Sequence, residues 1–219
     1  MGVIEPANEQ ELLIRAQALD GISVGELAAA LGFALPHDPR RSKGSVGQIA
    51  EIALGATAKS LSIPDFPALG IELKTIPLKP NGRPSESTHV CTATLAPLPG
   101  ARFNDSCVFH KLSRVLWLPV EYAHERPLSE RRFGPAKLWS PSVAQWQLLR
   151  ADWEEIHELI CCGAVHSITA RFGEVLQLRP KGANARATVS AIGPRGQIVQ
   201  TNPRAFYLRP TFTATIIAD

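Results

Sequence analysis

Asp65, Glu72 and Lys74 fall within the stretch DFPALGIELKTIPL, the two acids separated by six residues and the lysine following two positions later. Two carboxylates that converge from adjacent backbone segments can hold a hard divalent cation such as Mg²⁺, which takes oxygen ligands in octahedral geometry. A lysine beside them can orient or help deprotonate an attacking water, and can stabilise charge on a phosphate. Those are the parts of metal-assisted phosphodiester hydrolysis. Composition alone offers a plainer reading, a solvated Glu–Lys pair on an exposed strand face. With each charged type at about 6% of residues, this spacing arises by chance in roughly 5% of chains of this length, so the triplet needs its context.

That context begins with the element carrying it. The alternation in IELKTI places Ile71, Leu73 and Thr75 on one face of a strand and Glu72, Lys74 and Ile76 on the other. Glu72 and Lys74 therefore face the same way, and Asp65 reaches them if the chain turns at Pro67 to Gly70. Upstream, NEQELLIRAQAL has helical periodicity, and SVGELAAALG opens on a Ser23/Glu26 capping box and stops at Gly32. After the basic loop PHDPRRSKG, SVGQIAEIALGA reads as a third helix, with Glu51 near the edge of its apolar stripe. HVCTATLA, SRVLWLPVE, HSITA and EVLQLRP are further strand candidates, with PLKPNGRPSEST and AHERPLSERRFGP as loops. The longest predicted helix starts at Ser142, which pairs with Gln145 as a second capping box; its tryptophans are expected in the core. RAFYLRPTFTATII reads as a loop or strand leading into an apolar end. Helices and strands mixed without a regular βαβ rhythm predict an α/β or α+β sheet flanked by helices, and 219 residues fit one large domain or two small lobes.

At 45% hydrophobic residues the chain can bury a core, which excludes disorder as a description of the whole. No apolar run reaches the roughly 18 residues of a membrane span, and the start lacks the basic-then-apolar order of a signal peptide, so a cytoplasmic protein without membrane contact is expected. Cys91, Cys107, Cys161 and Cys162 show no paired CxxC spacing, which predicts buried reduced thiols. Net charge is +3, unevenly distributed: from Arg171 onward seven cations stand against two acids, while Asp152 to Glu158 is acidic. A polyanion partner and a solvated basic surface both suit that segregation.

Six blocks in order, KGSVGQIAEIALGA, DFPALGIELKTIPL, HKLSRVLWLPVE, RRFGPAKLWSP, ITARFGEVLQLRPKGANARA and RAFYLRPTF, resemble the MutH family of strand-directed mismatch-repair endonucleases. The resemblance runs from about Leu12 to the end of the sequence. It implies a single endonuclease domain over residues 1–219 with a restriction-endonuclease-like mixed central sheet flanked by helices, its two arms forming a DNA-binding cleft. It also implies Asp65 and Glu72 as Mg²⁺ ligands and Lys74 as the base or phosphate contact. Glu51 matches a further acid of the active centre, and Lys111 a lysine near the scissile phosphate. Lys43 and Gly44 match a loop approaching the DNA, and Arg179, Pro180 and Tyr207 match positions contacting bases. By the same resemblance the substrate is double-stranded DNA at hemimethylated GATC, nicked on the unmethylated strand by a monomer activated by MutL after MutS. The acidic helix from Asp152 is a candidate partner surface. His89 departs from the pattern, standing where Phe is expected; a neutral histidine stacks or hydrogen-bonds but does not make the same apolar contact. Two alternatives remain: a GATC restriction enzyme cutting both strands without an activator, and a catalytically idle GATC-binding module.

Overall fold

The computed structural model describes residues 3–36, 44–58, 61–97, 100–123, 125–181 and 187–218. In chain order the elements are α1 (Glu9–Gln17), α2 (Val24–Ala30), α3 (Ser45–Leu54), β1 (Glu72–Leu78), β2 (Thr88–Thr92), α4 (Cys107–Leu112), β3 (Val115–Glu121), β4 (Lys137–Trp139), α5 (Val143–Cys161), β5 (Leu176–Pro180), β6 (Val189–Ile192), β7 (Ile198–Thr201), β8 (Arg204–Leu208) and α6 (Pro210–Ala218). Short polar side chains open α1, α2 and α5. Asn8 accepts the Glu11 amide at 2.9 Å ahead of α1. The capping boxes Ser23/Glu26 and Ser142/Gln145 form as their spacing predicts, ahead of α2 and α5.

The chain divides into two compact units. The first gathers Met1–Glu86, Ser113–Ser140 and Ala214–Asp219; the second gathers Ser87–Leu112 and Pro141–Thr213. In the first, β1 lies parallel to β3, with Glu72 level with Val115 and Lys74 with Trp117, and β4 runs antiparallel on the far side of β3. β1 is thus an edge strand. Leu73, Leu116, Leu118 and Val120 from one sheet face join Leu12, Val24, Leu27, Ile49, Leu54 and Phe66 in a continuous core. Full burial of such side chains stabilises by about 1.5–3 kcal/mol each, which fixes which face of β1 turns inward. Glu72 and Lys74 are left on the opposite face with Val115 and Trp117.

In the second unit β8 is central, antiparallel to both β2 and β5, so that His89, Tyr207 and Gln177 form one cross-strand row. β6 and β7 make a separate hairpin. α5 buries Leu149, Trp153, Ile156 and Ile160. Trp153 is in the core as expected; Trp146 is half-buried and stacks on Phe109 at 4.8 Å. Asp152 is also buried, and its carboxylate accepts the amides of Glu174, Val175 and Leu176 at 2.8, 2.7 and 2.7 Å. Arg209 holds the same loop from its other end, donating to the carbonyls of Ala170, Phe172 and Gly173. The loop closes so tightly that a Cβ at Gly173, whose φ is +77°, would overlap the Leu176 carbonyl oxygen.

Several expectations are corrected here. HSITA is no strand: Val165–Ser167 form a 3-10 turn in which the Ser167 hydroxyl donates to the Ala164 carbonyl. RAFYLRPTFTATII divides into β8 and a helix, α6, in which Pro210 takes the first turn and Phe212 and Ile216, four apart, are buried. α4, β4, β6 and β7 are additional elements. Asp152 turns inward, so it lends nothing to an acidic partner surface. None of the four cysteines is in a disulfide, but of the expected buried thiols only Cys91 is buried; Cys107 is half-buried and Cys161 and Cys162 are exposed. No helix among the described residues is long and apolar enough to cross a membrane.

Candidate active site and nucleic-acid interface

The stretch from Asp65 to Ile71 is a stapled turn. Phe66 and Ile71 exchange backbone hydrogen bonds at 2.9 and 3.3 Å, the Gly70 amide closes on the Pro67 carbonyl, and Gly70 takes the left-handed φ of 66° that this reversal requires. Phe66 is wholly buried and anchors the turn in the core. The reversal returns Asp65 to the strand it precedes. Because the Glu72 amide donates inward to the Arg114 carbonyl at 2.9 Å, the next amide, that of Leu73, points to the open edge of β1. Asp65 Oδ2 accepts it at 2.9 Å. One carboxylate thereby sits against the backbone between the other acid and the lysine, as the sequence required if the chain turned there.

Glu72 is 1% exposed, and its Oε1 lies 2.5 Å from the Lys74 ammonium. The exposed, solvated pair that composition allows is therefore not what forms. Burial strips water from both charges and the contact compensates for it; either charge left alone would cost several kcal/mol. Asp65, at 9% exposure, completes a site of two shielded carboxylates and one cation. Glu51 lies half-buried on α3, its carbonyl accepting the Gly55 and Ala56 amides. Among the described residues no three His, Cys, Asp or Glu side chains are grouped to hold a metal ion. Two hard carboxylate oxygens still fit Mg²⁺, which usually takes one or two protein carboxylates and keeps water or phosphate oxygens at its other positions.

The remaining candidates are distributed. Gly44 precedes α3 with φ 90°; Lys43 lies outside the described residues. Lys111 is half-buried in the last turn of α4, in the second unit. Arg179 and Pro180 are exposed at the end of β5. The Arg179 guanidinium stands 5.5 Å over the Tyr207 ring, and His89 meets that ring edge-on at 5.3 Å, so the histidine takes an aromatic contact at the position where Phe was expected. Two residues that sequence reading passed over belong to this group. Ser87 Oγ accepts from Gln177 Nε2 at 3.1 Å and from Arg179 Nη1 at 3.2 Å. The available signal was alternation on β5, which puts Gln177 on the same face as Arg179.

Fold and site together define a mixed α/β protein that holds two carboxylates and a lysine at a sheet edge, and presents an arginine stacked on a tyrosine from a second sheet. The family described as DNA mismatch repair enzyme MutH matches residues 54–152. The DNA mismatch repair protein MutH of Shewanella baltica strain OS185 is 51% identical over 215 residues, covering 98% of this chain and 96% of that one. Its counterparts in Serratia proteamaculans strain 568 and Yersinia pseudotuberculosis serotype IB are each 52% identical over 213 residues, covering 97% of this chain and 93% of theirs. The chain belongs to the MutH family.

Proposed function

We propose that the chain is a Mg²⁺-dependent, sequence-specific DNA endonuclease of methyl-directed mismatch repair that nicks the unmethylated strand at hemimethylated GATC sites. The observation that carries this reading is the Asp65 carboxylate seated on the Leu73 amide between Glu72 and Lys74, in a chain half identical to MutH proteins. Asp65 and Glu72 would hold the ion. When bound there it would supply Lewis acidity at a phosphate oxygen and a more acidic water. Lys74, oriented by its contact with Glu72, has two further N–H donors with which to direct water or meet the phosphate. Glu51 supports the site from α3, and Lys111 is the contact to the scissile phosphate. A restriction-endonuclease-like arrangement, with two arms and a DNA cleft, belongs to the same proposal.

For recognition, adenine N6, the methylated atom, is displayed in the major groove, where Arg179 offers a bidentate contact to guanine. Pro180 and Tyr207 pack beside the adenine amino group, so that a methyl there meets steric crowding and costs a hydrogen bond. Lys43 and Gly44 approach the backbone. The protein acts as a cytoplasmic monomer, activated by a MutL-type partner once MutS has found a mismatch.

Plasmids with one GATC site, unmethylated, hemimethylated or fully methylated, test the reading with Mg²⁺ or EDTA and with or without a MutL-type partner. Mg²⁺-dependent nicks confined to unmethylated strands are expected, with Glu72→Gln abolishing them while DNA binding persists. Cleavage of both strands without the partner, or binding without nicks under every condition, would overturn it.

A further inference from the structure

We infer that Ser87 is a positioning residue for sequence reading: its hydroxyl oxygen, shared between Gln177 and Arg179, sets the Arg179 guanidinium in the orientation that meets a base. The inference rests on the proposal that Arg179 reads guanine, and adds the group that holds it. Arg179 is exposed at the end of an outer strand of its sheet, where a long flexible side chain would ordinarily sample many rotamers. Here it is constrained from two directions. Tyr207 lies beneath the guanidinium face at 5.5 Å, and Ser87 Oγ accepts one Nη1 hydrogen at 3.2 Å. Among the described residues only this one of its five N–H donors has a hydrogen-bond acceptor.

Ser87 is itself fixed. Its neighbour Thr88 is paired with Leu208 at the start of β2. Gln177, 4% exposed and thus confined, donates to the same oxygen at 3.1 Å. A hydroxyl has two acceptor lone pairs and one hydrogen. With Gln177 and Arg179 taking both acceptor positions, the Ser87 hydrogen is directed away from them, and among the described residues no acceptor takes it. Ser87 is therefore oriented as an acceptor toward Arg179 and keeps a donor for DNA. A fork ordered before binding loses less conformational freedom on binding, and it loses least on the sequence whose acceptors match its preset plane. The device therefore acts on discrimination more than on overall affinity.

The test is single-turnover nicking by the full chain with Mg²⁺, comparing a GATC duplex with duplexes altered at the guanine, for wild type, Ser87→Ala, Ser87→Thr, Arg179→Ala and the Ser87→Ala/Arg179→Ala double variant. Ser87→Ala is expected to lower the preference for guanine by roughly tenfold, the lower end of what one bidentate contact supplies, and Ser87→Thr to keep it. In the Arg179→Ala background the Ser87 change should have no further effect, because its partner is gone. The thermal unfolding midpoint of Ser87→Ala should fall slightly, because the buried Gln177 amide loses its acceptor, while Ser87→Thr should unfold as wild type does. If Arg179→Ala loses preference while Ser87→Ala keeps it, or if Ser87→Ala slows all duplexes equally, the Ser87 inference is overturned and the Arg179 reading stands. If Arg179→Ala discriminates as wild type does, the Arg179 reading itself fails and the Ser87 inference fails with it.

Discussion

Lys74 and Glu72 are more dependent on each other than a surface ion pair would be, because the glutamate side chain is 2% exposed and the lysine 14%. Lys74→Met keeps most of the aliphatic bulk but leaves the carboxylate buried without its cation. Loss of one partner from a buried pair costs about 3–5 kcal/mol, so the single change should lower stability by that order and Glu72→Gln/Lys74→Met should recover most of it. Urea unfolding without divalent ions checks this; additive losses would sink the idea of a coupled pair. His157 makes a second prediction. Burial pushes its imidazole below the ordinary value of 6.5, and it stacks on Trp153 at 4.4 Å. The fold thus favours the neutral ring. Its contribution is fully present above 6.5 and is lost as pH falls through the lowered folded value. On the acid side of 6.5, wild type should lose stability faster than His157→Gln, a difference readable in unfolding midpoints across that range.

Asp152 shows how one acid positions an entire strand. Its carboxylate takes three successive amides at the start of β5, the strand that ends in Arg179 and Pro180. In Asp152→Asn one oxygen becomes an N–H₂ group facing those donors. A hydrogen bond to a charged group is worth about 1.5–3 kcal/mol, so amide exchange at Glu174 to Leu176 should quicken by about ten- to a hundredfold. Unchanged exchange at those amides would remove Asp152 from this role. The sequence could not reveal it, since the three amides lie more than twenty residues away and helical spacing alone puts Asp152 in an acidic run. Local chemistry read well by contrast: both capping boxes, the alternation of IELKTI, and the turn from Pro67 to Gly70 were all visible in neighbouring residues. HSITA failed because its β-branched residues follow the end of α5, where a turn satisfies the backbone instead. α6 was hidden by threonines and isoleucines whose weak helix propensity is outweighed by burial of Phe212 and Ile216.

Charge looks different once the whole molecule is considered. Of the cations after Arg171, Arg209 donates to three carbonyls and Arg204 to the carbonyl of Ile168, so part of the apparent basic tail is internal scaffolding. Lys181 is exposed, and its ammonium donates to the Thr92 hydroxyl at 3.0 Å rather than to a backbone carbonyl. Lys181→Ala should reduce the slope of log K for DNA against log salt by about one while leaving thermal stability intact; Arg209→Ala should lower the unfolding midpoint. The reverse pattern would show that these two cations had been assigned the wrong way round. Of the candidate site, Asp65, Glu72 and Lys74 were readable because they come from one short stretch. Lys111, Arg179 and Tyr207 were nameable only through family resemblance, since they belong to the other unit and no local spacing links them to the acids.

The chain passes between its two units after Glu86, Leu112, Ser140 and Thr213. As it leaves a ribosome, which extends a chain at about 5–20 residues per second, neither unit can be finished and set aside before the other is begun. The β1–β3 pairing has to wait for Ser87–Leu112 to be made, and the Lys137 ammonium waits for the Ile216 carbonyl. The unit that holds Asp65, Glu72 and Lys74 is therefore completed only once α6 has been made, so a ribosome that stalls before α6 releases a chain in which these three side chains are all present but their supporting unit is unfinished.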